Sequence, residues 1–125
     1  MSNPQGEFVW YELITPDPDA ADAFYAPMLG WSVADSGIPG MDYRIASTAD
    51  AGVAGIMRTP AGAPMPPAWL GYVGVDDLDA AVASVEQGGG AVLVEPMEIP
   101  GGQFSLTGQD PQGAVFGLIG AREKA

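Results

Sequence analysis

Two stretches decide the fold: Phe8-Val-Trp-Tyr-Glu-Leu-Ile-Thr-Pro-Asp17 and, sixty residues on, Ala68-Trp-Leu-Gly-Tyr-Val-Gly-Val-Asp-Asp77. Each is an apolar run rich in aromatic or β-branched residues that ends in aspartate, the pattern of a buried strand feeding a capped helix. The same offset aligns residues 8–33 with 68–93 without a gap. Identities fall at Asp17/Asp77, Asp19/Asp79, Ala20/Ala80, Ala21/Ala81, Ala23/Ala83 and Gly30/Gly90. Self-similarity of this kind, with the same elements spelled in both copies, marks a duplicated module.

In the first copy residues 8–14 read as a strand, Asp17 as the helix cap and Pro18 as the first helical residue. Ala21, Phe24, Tyr25 and Met28 then recur on one predicted apolar face, and Gly30 supplies the stop. Pro27 removes a backbone donor inside this helix and predicts a distorted last turn. In the second copy residues 69–75 form the strand, Asp76 or Asp77 the cap, Leu78, Ala81, Val82 and Val85 the buried face, and Gly88, Gly89 and Gly90 the terminator. Three strand-like segments follow each helix: 31–34, 43–47 and 53–58, then 91–95, 103–107 and 114–119.

Each half is therefore βαβββ, over about 7–58 and 69–121, and residues 59–68, with four prolines, read as a stiff linker. A module of this kind does not close its own sheet. The expected architecture is α+β, a single domain over residues 1–125 whose two tandem modules form a curved mixed sheet around a shared cleft. The length of 125 residues suits one such core.

Composition excludes several functions. Four basic residues against sixteen acidic ones give a net charge of −12, which repels nucleic acid and anionic membranes and keeps the protein soluble. With no cysteine there is no disulfide, thiolate nucleophile or sulfur-ligated metal, and with no histidine there is no imidazole ligand or base. Residues 1–7 carry no signal-peptide pattern, and no apolar stretch reaches the roughly 18 residues of a membrane span. A cytoplasmic location is expected by default.

The run 8–17, followed by Ala23-Phe24-Tyr25 and Leu29-Gly30-Trp31, resembles the opening of glyoxalase/bleomycin-resistance/extradiol dioxygenase domains, the vicinal oxygen chelate superfamily. Val75-Asp-Asp-Leu-Asp-Ala-Ala81, the glycines at 88–90, and Asp110-Pro-Gln-Gly113 before a terminal apolar strand resemble that superfamily's second module. The resemblance implies the fold but not the activity, since lyases, dioxygenases, epimerases, thiol transferases and drug-sequestering proteins share it. In metal-dependent members four strand residues, usually His, Glu or Gln, hold one divalent ion. Carried onto this chain, those positions are Trp10, Leu70, Gly117, and Gly55 or Ile56. None has a donor side chain, so no metal or other cofactor is expected, with a divalent metal as the alternative.

If Trp10 faces the cleft, strand alternation places Glu12 and Ile14 there too, and the repeat adds Leu70 and Tyr72. Met57, Phe104 and Gly117 complete the expected lining. Glu12 among these neighbours suits a general acid or base; the plainer reading is a carboxylate bonded to a nearby hydroxyl or amide. Trp10 and Tyr72 suit stacking on a planar or cationic ligand, or simple core packing. Arg44 and Arg58 suit an anionic ligand group or surface neutralisation. Glu95 and Glu98 read as a solvated edge, and Gly101-Gly102 as a turn rather than a phosphate loop.

The leading expectation is a metal-free protein enclosing a small aromatic or cationic molecule, of the sequestration or resistance type. The alternative is a lyase or isomerase, glyoxalase-like, using Glu12. A metal-dependent lyase or dioxygenase ranks third and a purely structural role fourth. The resemblance also implies a homodimer.

Overall fold

The computed structural model describes residues 5–63, 65–99 and 102–122. The readings at residues 1–4, Pro64 and Gly101 lie outside these. The elements are β1 (Phe8–Thr15), α1 (Pro18–Leu29), β2 (Ser32–Asp35), β3 (Tyr43–Ser47), β4 (Gly52–Arg58), β5 (Ala68–Asp77), α2 (Leu78–Gln87), β6 (Ala91–Glu98), β7 (Phe104–Gln109) and β8 (Val115–Ala121). This is an α+β protein in which βαβββ occurs twice. Its strands pair both in parallel and antiparallel fashion, and they group into two compact units, one of residues 10–70, the other of residues 1–9 and 71–125.

In the first unit the strand order is β2-β3-β4-β1, with β1 and β4 parallel and the other pairs antiparallel. Alternation along β1 sends Leu13 toward α1, where it packs with Ala21 and Ile56 against Tyr25 and Val33. Asp17 caps α1 by accepting the Ala20 amide at 3.1 Å, Pro18 takes the first turn, and Gly30 closes the helix with φ of 72°. The helix continues through Pro27 to Leu29, although proline denies the Ala23 carbonyl its usual donor. The buried stripe is narrower than its periodicity predicts. Phe24 and Met28 are 62% and 57% exposed, so only Ala21 and Tyr25 of the expected face turn inward. Tyr25 instead joins an aromatic group: its hydroxyl accepts the Trp69 indole at 3.1 Å, and Trp31 lies 5.9 Å from Trp69 between centroids.

The second unit has the order β5-β8-β7-β6. Its core is Val75, Leu78, Leu106 and Leu118, with Ala81, Val82 and Val85 of α2 laid over it, as the periodicity predicts. Asp77, not Asp76, is the cap, accepting the Ala80 amide at 3.1 Å. The first residues of the described chain belong here: the Gly6 amide donates to the Gly74 carbonyl, and the Gly74 amide to Glu7, both at 2.8 Å. β6 runs past Pro96 to Glu98, with register shifts between Val92 and Val94 and between Val94 and Met97. A proline is tolerated on such a bulged strand because no ladder donor is required of it. Among the described residues no helix is long and apolar enough to cross a membrane.

Candidate functional site

With Leu13 and Ile56 turned to α1, the opposite face of the first unit carries Trp10, Glu12 and Ile14 from β1. Glu12 lies beside Gly55 and Ile14 beside Met57 on β4, while Tyr43 and Ile45 of β3 flank Met57 and Gly55 from the other side. Four of the expected lining residues, Trp10, Glu12, Ile14 and Met57, therefore do share one face. Glu12 is only 6% exposed.

Tyr43 ties this face together. Gly55 has no side chain, and the Tyr43 ring occupies the vacated space: a Cβ on Gly55 would overlap the phenol oxygen and lie 2.5 Å from its Cζ. The phenol oxygen accepts a hydrogen bond from Trp10 Nε1 at 2.9 Å. An indole N–H only donates, so the phenol oxygen is the acceptor in this contact and the phenol keeps its own proton. Burial pushes the Tyr43 phenol well above its usual range, and the negative charge of Glu12 pushes it further; the Trp10 bond pulls the other way. The phenol is thus a standing donor at neutral pH.

The residues on either side of Tyr43 are fixed. Arg44 Nη1 meets Asp22 at 2.6 Å and Asp19 at 2.9 Å, and its Nε meets Asp42 at 3.0 Å. Arg58 reaches Asp42 at 3.2 Å and donates to the Pro16 carbonyl at 2.7 Å. Arg44 holds the Asp42 carboxyl below the usual carboxylate range by hydrogen bonding, with a further contribution from Arg58. The anion-receiving role considered for these arginines is taken up by the chain's own carboxylates. Their geometry fastens β3 to α1 and β4, which holds Tyr43 in place.

In the second unit Tyr72 lies beside Gly117, and Thr107 flanks Gly117 from the other side. The construction matches the first unit, because the Tyr72 ring fills the space of a missing side chain: a Cβ on Gly117 would lie 2.6 Å from Tyr72 Cγ. Sixty residues on from Glu12, a ring stands where the first unit has a carboxylate. Phe104 was expected beside Tyr72 and Gly117, but β7 alternation turns it to the α2 side with Leu106 and Leu118. There the Arg122 guanidinium lies 5.5 Å from its ring centroid. Leu70, at the end of the first unit, is buried.

Strand register settles the position left open between Gly55 and Ile56. Ile56 belongs to the α1 core, and Gly55 is the residue beside Glu12. The positions that the resemblance assigns to the chelate are then Trp10, Gly55, Leu70 and Gly117, two of them glycines under tyrosine rings. Among the described residues no group of three or more His, Cys, Asp or Glu could hold an ion. This donor set does not fit a divalent metal, which needs several anionic or imidazole groups at fixed geometry.

Tyr43 is the residue that strand reading alone missed. The signal was present: a glycine inside an apolar strand, as at Gly55, marks a close approach by something bulky.

The chain spans about half the length of the curated relatives it matches. The protein named "Putative glyoxylase CFP32", from Mycobacterium tuberculosis and Mycobacterium bovis, is 40% identical over 121 residues, which cover 95% of this chain and 46% of that one. "Anthracycline biosynthesis protein DnrV" of Streptomyces peucetius is 34% identical, covering 94% of this chain and 42% of its own length. Among solved structures, methylmalonyl-CoA epimerase of Streptomyces coelicolor superposes with a TM-score of 0.59 at 20% identity, covering 94% of this chain and 99% of that one, a likeness of fold. The model of the Glyoxalase/Bleomycin resistance protein/Dioxygenase superfamily matches residues 7–118, and the chain belongs to that superfamily.

Proposed function

We propose that this chain binds a small organic molecule, aromatic or cationic, without a metal ion, as sequestering and resistance proteins do, and that recognition takes place at the Trp10–Tyr43–Glu12 cluster of the first unit. The observation that carries this reading is a carboxylate almost withdrawn from water, on the same sheet face as a phenol that accepts a hydrogen bond from an indole. Such a group offers charge and hydrogen-bond acceptors, and the two rings beside it offer apolar and quadrupolar surface. The net charge of −12 favours a cation over an anion at the approach stage.

A second reading, an enzyme of lyase or isomerase type using Glu12 as acid or base, draws on the same burial and on the glyoxylase name of one relative. The name of another points to anthracycline biosynthesis. Glu12→Gln separates the two: a binder keeps its molecule, with weakened preference for cations, whereas an enzyme loses turnover. Native mass spectrometry of the purified protein, followed by titration with the planar cation proflavine, tests the binding reading. A protein that retains no small molecule and does not bind proflavine sinks it. A homodimer belongs to the same proposal and is decided by sedimentation velocity.

A further inference from the structure

We propose that the outer flank of α1, extended by Trp69, is the surface on which a second copy of this chain docks, the same patch meeting itself about a two-fold axis. The inference rests on the homodimer proposed above and names the surface that builds it.

Helix α1 is apolar on two sides. Ala21 and Tyr25 pack on the core, while Ala20, Ala23, Phe24, Pro27 and Met28 recur at helical spacing on the far flank and are all exposed. Leu29 and Trp69 extend this stripe at 47% and 40% exposure. The Phe24 ring stands 4.9 Å from Tyr25 between centroids and Tyr25 5.3 Å from Trp69, so the patch is continuous. It is also free of charge in a chain of −12: residues 23–34 and 59–75 contain no Asp, Glu, Lys or Arg, and the two carboxylates of α1, Asp19 and Asp22, pair with Arg44. The duplicated half provides the comparison. Sixty residues apart, Phe24 is answered by Ser84, Met28 by Gly88, Leu29 by Gly89, and Trp69 by Val9. Helix formation at this place in the fold therefore does not require large apolar residues on the outside, and only the first half carries them. Charge and area select the occupant. A partner drawn by opposite charge would settle on the acidic surface, whereas an uncharged apolar face complements another of its kind, and a second copy supplies one of equal size. With about 150–250 Å² in a whole aromatic side chain, the exposed parts of Phe24, Met28, Leu29 and Trp69 come to roughly 400–500 Å², and the small residues of the stripe bring the face to about 600 Å². Two such faces together reach about 1,200 Å², the lower end of specific interfaces. The dimer is accordingly weak, with a dissociation constant of roughly 1–100 µM.

Sedimentation equilibrium of the intact chain, over concentrations spanning that range, gives the constant. Phe24→Asp should weaken the dimer about tenfold or more, because docking would bury an unpaired carboxylate. Phe24→Ser combined with Met28→Gln, which gives α1 a polar flank like that of α2, should act in the same direction. Ser84→Asp adds the same charge at the matching position of α2 and should leave the constant in place. All these side chains are exposed, so an unchanged urea midpoint shows that loss of the dimer is not loss of the fold. Raising sodium chloride from about 0.1 M to 1 M shortens the screening length from about 10 Å to 3 Å, and two copies at −12 then repel less, so the wild-type dimer should tighten about threefold or more. A dimer unmoved by both α1 variants, or weakened equally by Ser84→Asp, overturns the assigned surface while the homodimer stands. A dimer that loosens with salt is held by ion pairs elsewhere and overturns it too. A wild-type protein that stays monomeric throughout overturns surface and homodimer together, and leaves small-molecule binding to be judged by proflavine.

Discussion

Gly117→Ala puts a number on the tyrosine-over-glycine construction. Neither φ nor strand geometry forbids alanine there, since Gly117 is not among the glycines with positive φ. In open space the change would stabilise the protein by about 0.4–1 kcal/mol through the unfolded chain. The structure predicts the opposite sign. The new Cβ would lie 2.6 Å from Tyr72 Cγ, the ring atom nearest the backbone, so rotating the ring about its own axis gives no relief. Restoring ordinary contact requires a displacement near 1 Å in a buried side chain, and overpacking of that kind costs about 1–3 kcal/mol. The net expectation is a loss of about 1–2 kcal/mol, read as a lower urea midpoint with an unchanged slope. In a Tyr72→Ala background the obstacle is gone and Gly117→Ala should become neutral or stabilising, giving a coupling energy of about 2 kcal/mol. An equal penalty in both backgrounds refutes the reasoning. Gly55→Ala should cost less, because there the obstacle is the far end of Tyr43, which can swing away.

Other expectations follow from charge and packing. The Tyr43 phenol is raised in the fold, so its stabilising contribution is complete below the ordinary tyrosine value of 10.0 and is lost as pH climbs from there through the folded value. Ultraviolet titration of the folded protein should therefore contain a late tyrosine component that Tyr43→Phe removes, and the same substitution should flatten alkaline destabilisation. The Asp42 carboxyl is lowered, so its contribution is present above the ordinary aspartate value of 3.8 and is lost as pH falls through the folded value; Asp42→Asn should flatten the acid side of the stability profile measured by circular dichroism. Leu78 is fully buried at the start of α2, and Leu78→Ala should cost about 2–5 kcal/mol in urea unfolding. Asp17→Ala and Asp77→Ala each remove a cap bond and should cost about 1 kcal/mol apiece, close to additively.

Much of this architecture is legible in the sequence, because strand alternation, aspartate caps and glycine stops act locally. Asp17 and Asp77, Gly30, and the inward face of α2 all follow from such signals. The shared face of Trp10, Glu12, Ile14 and Met57 needs only alternation plus the pairing of β1 with β4. What escapes is set by register between strands distant in sequence. Tyr43 reaches Trp10 across 33 residues, and nothing local to position 43 announces it. Phe104 goes to the helix side because β7 places it opposite Gly120 and Leu106 opposite Leu118, a choice that a short apolar segment leaves open. Phe24 and Met28 fit a helical stripe by spacing, but of that stripe Ala21 and Tyr25 are the residues that pack on the core beneath α1. Arg44 and Arg58 are drawn to Asp42 and its neighbours by folding, which composition cannot foretell.

The irregular β6 also tells how the duplicated halves have drifted in length. Gly30 and Gly90 stand 60 positions apart, but Gly55 and Gly117 stand 62 apart, so the later half has gained two residues after its helix, or the earlier half has lost two. β6 has eight residues where β2 has four, and its register slips twice. Added length has thus been absorbed at the margin of its sheet, while the strands that seat Tyr72 over Gly117 keep an unbroken pairing from Tyr72 to Val75. The outermost strand acts as an expansion joint, and insertions engineered near Val94 should be tolerated where insertions in β8 would not.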